Sequence, residues 1–88
     1  MKTILITGAT DGIGRETAKQ LLRHGCRVLI HGRTLEKTKR VTELLLRDFP
    51  EQQAEAVFAD LTDMKQVLAL ADQVRERVSV LDVLINNA

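Results

Sequence analysis

The chain has 88 residues, a formal net charge of +1, 44% hydrophobic and only 2% aromatic residues, and a single cysteine. That length allows one small domain, which buries roughly 60–65% of its unfolded surface around an aliphatic core. The near-neutral charge excludes a strong pull towards nucleic acid or an anionic membrane, no apolar run spans a bilayer, and Cys26 cannot close an internal disulfide.

The chain opens on Met1-Lys2-Thr3 and enters a strand over residues 2–7 without a leader pattern, so a cytoplasmic location is expected. Ile4-Leu5-Ile6 are consecutive apolar residues, as in a parallel strand covered on both faces. A helix follows over residues 12–24, with Ile13, Thr17, Ala18, Leu21 and Leu22 at helical spacing and Gly25 as its stop. A second strand over residues 27–32 is built on Val28-Leu29-Ile30.

Thr34 is placed to cap a second helix over residues 35–48. Its apolar side is Leu35, Thr38, Val41, Leu44 and Leu45, and Pro50 closes the segment. Residues 54–59 read as a third strand around Val57-Phe58. Thr62 is the expected cap of a third helix over residues 63–78, with Met64, Val67, Leu68, Ala71, Val74 and Val78 as its stripe. A fourth strand over residues 81–85 leads into Asn86-Asn87-Ala88. Cys26 and His31 read as packing residues, and the scattered histidines and cysteine do not make a metal site.

Strict β-α-β-α-β-α-β alternation implies an α/β fold with a parallel sheet and right-handed crossovers. The expected strand order is 3-2-1-4, with the first two helices on one face and the third on the other. Residues 1–88 then form one nucleotide-binding half of a doubly wound domain, whose ligand sits beyond the strand ends at the switch between strands 1 and 4.

Thr7-Gly8-Ala9-Thr10-Asp11-Gly12-Ile13-Gly14 lies at that switch, between strand and helix. Glycine lets the backbone turn tightly and lets a ligand approach, and the helix start offers unpaired N–H groups to an anion. The spacing G-x-x-x-G-x-G is neither the G-x-G-x-x-G fingerprint nor a triphosphatase phosphate loop, which would continue Gly-Lys-Ser/Thr.

With Asp60-Leu61 after strand 3 and Leu81-Asp82-Val83-Leu84-Ile85-Asn86-Asn87-Ala88 around strand 4, the whole chain resembles the amino-terminal half of the short-chain dehydrogenases/reductases. The resemblance implies a partial Rossmann-type domain and a nicotinamide dinucleotide. Gly8, Gly12, Ile13 and Gly14 would form the diphosphate turn and Thr10 would donate from its hydroxyl. Asp60 would accept from the adenine amino group, with the Leu61 backbone beside it. Asn86 and Ala88 would lie along the adenosine ribose, and Asn87 would brace the strand.

Relatives that prefer NAD carry an acidic residue where this chain has Gly32, and Arg33 suits a 2′-phosphate, so NADP is expected over NAD. Asp11, inside the turn, opposes that phosphate unless it points to solvent; Lys37 or Arg15 could compensate. A nucleotide-sugar epimerase would space its glycines as T-G-x-x-G-x-x-G, which this turn does not.

The resemblance also implies hydride transfer between NADP(H) and a carbonyl or alcohol, through a Ser, a Tyr and a Lys beyond strand 4. The 88 residues contain no Tyr, and their one Ser is Ser79, at the end of the third helix. No catalytic residue is therefore assigned, a substrate is expected only in a longer form, and the 88 residues alone are expected to be inactive. The alternative is a non-catalytic nucleotide-binding module. Strand 4, as an edge, predicts either a fragment of a longer polypeptide or a self-associating piece.

Overall fold

The computed structural model describes residues 1–88. Its elements are β1 (Thr3–Ile6), α1 (Gly12–Arg23), β2 (Arg27–Gly32), α2 (Leu35–Asp48), β3 (Ala54–Phe58), α3 (Met64–Arg77) and β4 (Val83–Ile85). The four strands form one parallel sheet in the order β3-β2-β1-β4. The expected alternation and strand order are both present.

Side chains alternate across each strand, so the unbroken apolar runs feed two cores. Ile4, Ile6, Val28 and Ile30 point to one face, where they meet Ala18 and Leu22 of α1 and Val41 and Leu45 of α2. Leu5, Leu29 and Val57 point to the other, where Leu70 of α3 covers them. Each fully buried aliphatic side chain of this kind contributes about 1.5–3 kcal/mol.

The helix ends follow local chemistry. At the end of α1, Gly25 takes φ +83°, its N–H donates to Leu22 O at 3.0 Å and the Cys26 N–H donates to Leu21 O at 3.0 Å. These two bonds satisfy carbonyls the helix leaves open. Thr34 caps α2 as expected, accepting from the Lys37 N–H at 3.4 Å.

The structure corrects several sequence expectations. α3 is capped by Asp63, which accepts from the Lys65 N–H at 2.9 Å, and not by Thr62. Thr62 is unavailable because its hydroxyl and its N–H both donate to Asp60 Oδ1, at 2.7 and 3.0 Å. α3 is also turned relative to the expected stripe. Leu70 is buried and Val74 and Val78 pack beside it, whereas Met64 and Leu68 are 70% and 62% exposed.

In α1 the buried row is Gly14, Ala18 and Leu22, which leaves Ile13 80% exposed at the glycine turn. In α2, Leu35 and Leu44 are exposed, while Thr38 is buried as expected and Thr42 is buried with it. Their hydroxyls donate to the carbonyls of Thr34 and Thr38, at 2.6 and 2.8 Å, so they pack as apolar groups. β4 starts at Val83 and not at residue 81. The Thr3 N–H, which a ladder carbonyl would otherwise hold, goes to the Asp82 carboxylate at 2.8 Å.

Candidate functional site

The glycine turn is held from three sides at the carboxyl ends of the strands. From β4, the Asn87 side-chain amide donates to Gly8 O at 3.0 Å. The Asn87 and Ala88 N–H groups both donate to Thr7 Oγ1, at 2.9 and 3.2 Å. From β2, His31 O accepts the Ala9 N–H at 2.8 Å, and His31 Nδ1 accepts the Gly8 N–H at 2.9 Å. From β3, the Ala59 carbonyl lies 3.0 Å from His31 Nε2.

Two glycines are required by space. Gly8 has φ +63°, and a Cβ there would stand 3.0 Å from Ala88 Cα. A Cβ on Gly14 would overlap the Gly8 carbonyl oxygen. The first turn of α1 thus packs directly on the backbone of the loop before it.

The start of α1 is chemically open. Asp11 occupies the N-cap position but makes no side-chain cap bond, and the first turn carries no acidic residue. The Asp11 carboxylate instead pairs with Lys37 Nζ at 2.6 Å and is 74% exposed. Asp11, expected to oppose a phosphate unless turned to solvent, therefore points outward against a cation. The first-turn N–H groups are left for an anion.

Beside the turn lies a cleft of about 470 Å³. It brings together six of the ten expected site residues: Gly8, Thr10, Arg33, Asp60, Leu61 and Ala88. His31 and Thr62 also line it. Four expected residues lie outside its lining. Gly14 is packed behind Gly8, Gly12 and Ile13 project from the start of α1, and Asn86 Oδ1 accepts from the Thr7 hydroxyl at 3.1 Å.

Arg33 and Asp60 form an ion pair at 3.3 Å across the cleft. The Asp60 carboxyl is held below its usual value by the Thr62 hydroxyl and N–H, with Arg33 adding to the effect. Asp60 thus has internal donors already, and the Arg33 side chain is 79% exposed. Gly32 has no room for a side chain, because a Cβ there would overlap the Thr38 hydroxyl oxygen and stand 2.5 Å from Thr10 Cγ2. An acidic residue at this position would displace the Thr38 hydroxyl from its bond to Thr34 O and push the Thr10 methyl aside.

His31 is 3% exposed, and burial lowers its pKa from the usual 6.5, against a smaller raising effect of the Ala59 carbonyl. The sequence pattern marks it as a packing residue, and the structure adds the two ring bonds. The signal lay in its register: alternation puts His31 on the same face as Leu29, and an inward ring with two polar nitrogens needs two partners. The Asp11–Lys37 contact was one of two alternatives left open, and the Arg33–Asp60 pair was not foreseen.

A four-stranded parallel sheet of this order, with a glycine turn at the switch point and a cleft beside it, defines a Rossmann-type unit of the doubly wound class. The family model for short chain dehydrogenase matches residues 2–88, and the chain belongs to the short-chain dehydrogenase/reductase family. It is 38% identical over 85 residues to chlorophyll(ide) b reductase NOL, chloroplastic, of Oryza sativa subsp. japonica, covering 97% of this chain and 25% of that protein.

Among solved structures it resembles YwfH, an NADPH dependent reductase involved in bacilysin biosynthesis, with TM-score 0.90 and 29% identity over 99% of this chain and 37% of that one. It also resembles RhlG of Pseudomonas aeruginosa, in an NADP active-site complex, with TM-score 0.90 and 33% identity over 99% of this chain and 34% of that one. The chain spans between a quarter and two fifths of the length of these relatives. No helix is long and apolar enough to cross a membrane.

Proposed function

We propose that this chain is the dinucleotide-binding part of an oxidoreductase that transfers hydride between NADP(H) and a carbonyl or alcohol substrate. The observation that carries the reading is the arrangement around Gly32. The position has no room for the acid that would bind a 2′-hydroxyl, and Arg33 next to it presents an exposed guanidinium to the cleft. A guanidinium pairs with a phosphate through parallel N–H donors, which a ribose hydroxyl cannot match. Two of the solved structures it resembles are described as an NADPH dependent reductase and an NADP complex.

In this reading the diphosphate rests on the turn at Gly8, Gly12, Ile13 and Gly14, against the open N–H groups of α1. Thr10 donates from its hydroxyl, and exposed Ile13 covers the diphosphate from the solvent side. Arg33 leaves Asp60 for the 2′-phosphate, and Lys37 compensates the Asp11 carboxylate. Asp60, released from Arg33 but still held by Thr62, accepts from the adenine amino group beside Leu61. Asn86 and Ala88 border the ribose. When bound, the dinucleotide supplies or accepts the hydride; these residues bind and orient it.

The 88 residues hold no Tyr and one Ser, Ser79, which is exposed beyond the end of α3. Substrate activation by the family's Ser, Tyr and Lys therefore needs residues outside them. The 88-residue piece alone binds cofactor and leaves NADPH unoxidised.

Calorimetric titration with NADPH and NADH tests the reading. NADPH is expected to bind more tightly, and Arg33→Ala to weaken NADPH about tenfold or more, with NADH affected little. Tighter binding of NADH by the unaltered protein would overturn it.

A further inference from the structure

The bonds around His31 fix its chemical form. A peptide N–H only donates, so His31 Nδ1, 2.9 Å from the Gly8 nitrogen, presents a lone pair. A carbonyl only accepts, so Nε2, 3.0 Å from Ala59 O, carries the hydrogen. One tautomer of the neutral ring satisfies both contacts. The imidazolium satisfies only one, because its Nδ1–H would face the Gly8 N–H donor to donor. The ring is 3% exposed, so water does not replace the lost partner.

The same residue holds the neighbouring amide, since His31 O accepts the Ala9 N–H at 2.8 Å. The turn is therefore hung on His31 at two successive amides, and the ring ties it onward to the end of β3. We propose that His31 is a positioning residue and a proton-sensitive clamp: neutral, it holds Gly8 in place for the dinucleotide diphosphate; protonated, it releases the turn and the ligand with it. The release half of this proposal rests on the dinucleotide reading above, and the clamp half does not.

The charged groups facing this region are Asp11 of the turn with Lys37 of α2, and Arg33 after β2 with Asp60 after β3, each paired with the other. The chain's other histidine, His24, is exposed at the far end of α1, with Nδ1 2.8 Å from Gln20 O. It serves as an internal control. Burial depresses the His31 pKa, so the neutral clamp is complete above the ordinary value near 6.5. Its contribution to stability is lost as pH falls from there through the depressed value, because the unfolded chain takes up the proton first.

The test uses the purified full-length protein and two readouts. Imidazole nitrogen NMR between pH 8 and 5, with His24→Gln to assign the rings, reports the His31 tautomer and the Gly8 amide shift. Calorimetry with ADP-ribose over the same range reports binding. ADP-ribose lacks the 2′-phosphate, whose own titration near pH 6 would confuse the profile.

The expected result is an unprotonated Nδ1 at pH 8, with a Gly8 amide that moves as His31 titrates. Affinity should fall about tenfold per pH unit below that titration, as one bound proton requires. His31→Gln keeps a donor and an acceptor but does not titrate, and it should bind at pH 8 while losing the slope. A protonated Nδ1 at pH 8, or a Gly8 amide that ignores the His31 titration, would overturn the clamp, even if the variant fails to fold. An unchanged slope in His31→Gln would overturn the release. Absence of both ADP-ribose and NADPH binding at pH 8 would sink the dinucleotide reading and the release together, while a Gly8 amide that still follows His31 would leave the clamp standing.

Discussion

The two faces of the sheet are built from the same kind of strand and finished very differently. On the α1/α2 face, nine buried residues form one continuous core, and two helices close over it. On the α3 face the buried set is five, and α3 contributes only Leu70 to it. Around that contact Met64, Leu68 and Leu84 are 70%, 62% and 58% exposed. Val28-Leu29-Ile30 is apolar and fully buried towards both faces, so the difference lies in what covers the sheet.

The largest expected effect comes from deleting matched leucines. Leu22 is fully buried under the closed face, and Leu22→Ala should cost about 2–5 kcal/mol in urea unfolding. Leu68→Ala on the open face should stay within about 0.5 kcal/mol. If Leu68→Ala costs as much as Leu22→Ala, the open face is covered in solution, by self-association or by another segment. Repeating the melts over a range of protein concentration separates those two cases.

The next effect comes from adding atoms. Gly32 is wedged between the Thr38 and Thr10 side chains on the closed side, and Gly32→Ala should cost about 1–3 kcal/mol through displacement of the Thr38 hydroxyl and the Thr10 methyl. Ala71→Leu on exposed α3 should change stability by less than about 0.5 kcal/mol. A neutral Gly32→Ala would show that these two threonine side chains yield easily, and would weaken the steric argument against an acidic residue there.

This contrast also explains what could be read from the sequence. The closed face was legible because its signals are local and redundant. Ile4-Leu5-Ile6 and Val28-Leu29-Ile30 announce two-sided strands, Gly25 stops α1, and Thr34 caps α2. The row Ala18, Leu22 with Val41, Leu45 has one consistent way to pack. The setting of α3 was not legible, because two apolar rows compete along it, Val67-Leu70-Val74 and Met64-Leu68-Ala71. The structure buries Leu70 with Val74 and Val78 beside it, and leaves Met64, Leu68 and Ala71 exposed.

At the site, the glycine turn and the cleft residues came from spacing and resemblance. The His31 ring bonds join residues 23 and 28 positions apart, and the Arg33–Asp60 and Lys37–Asp11 pairs join residues 27 and 26 positions apart. No local pattern encodes such contacts. They follow from the parallel register that brings the ends of β1, β2 and β3 side by side.

The smallest expected effect probes how firmly each face holds its helices. Thr34→Ala and Asp63→Ala each remove one side-chain cap, worth about 1 kcal/mol. The Asp63 bond is shorter, 2.9 Å against 3.4 Å, and its carboxylate also opposes the positive end of the helix. α2 has Thr38, Val41, Thr42 and Leu45 buried beneath it, whereas α3 has Leu70. Loss of the cap should therefore leave α2 amide exchange near its original rate apart from the first turn. In α3 the same loss should speed exchange further along the helix, because Leu70 is its one buried side chain and the Gln73 amide, bonded to the Phe58 N–H and carbonyl at 3.0 Å each, holds only its second half. Equal protection of α2 and α3 after these substitutions would mean that the open face is held by more than the packing of Leu70, Val74 and Val78 and the side-chain bonds of Gln66 and Gln73.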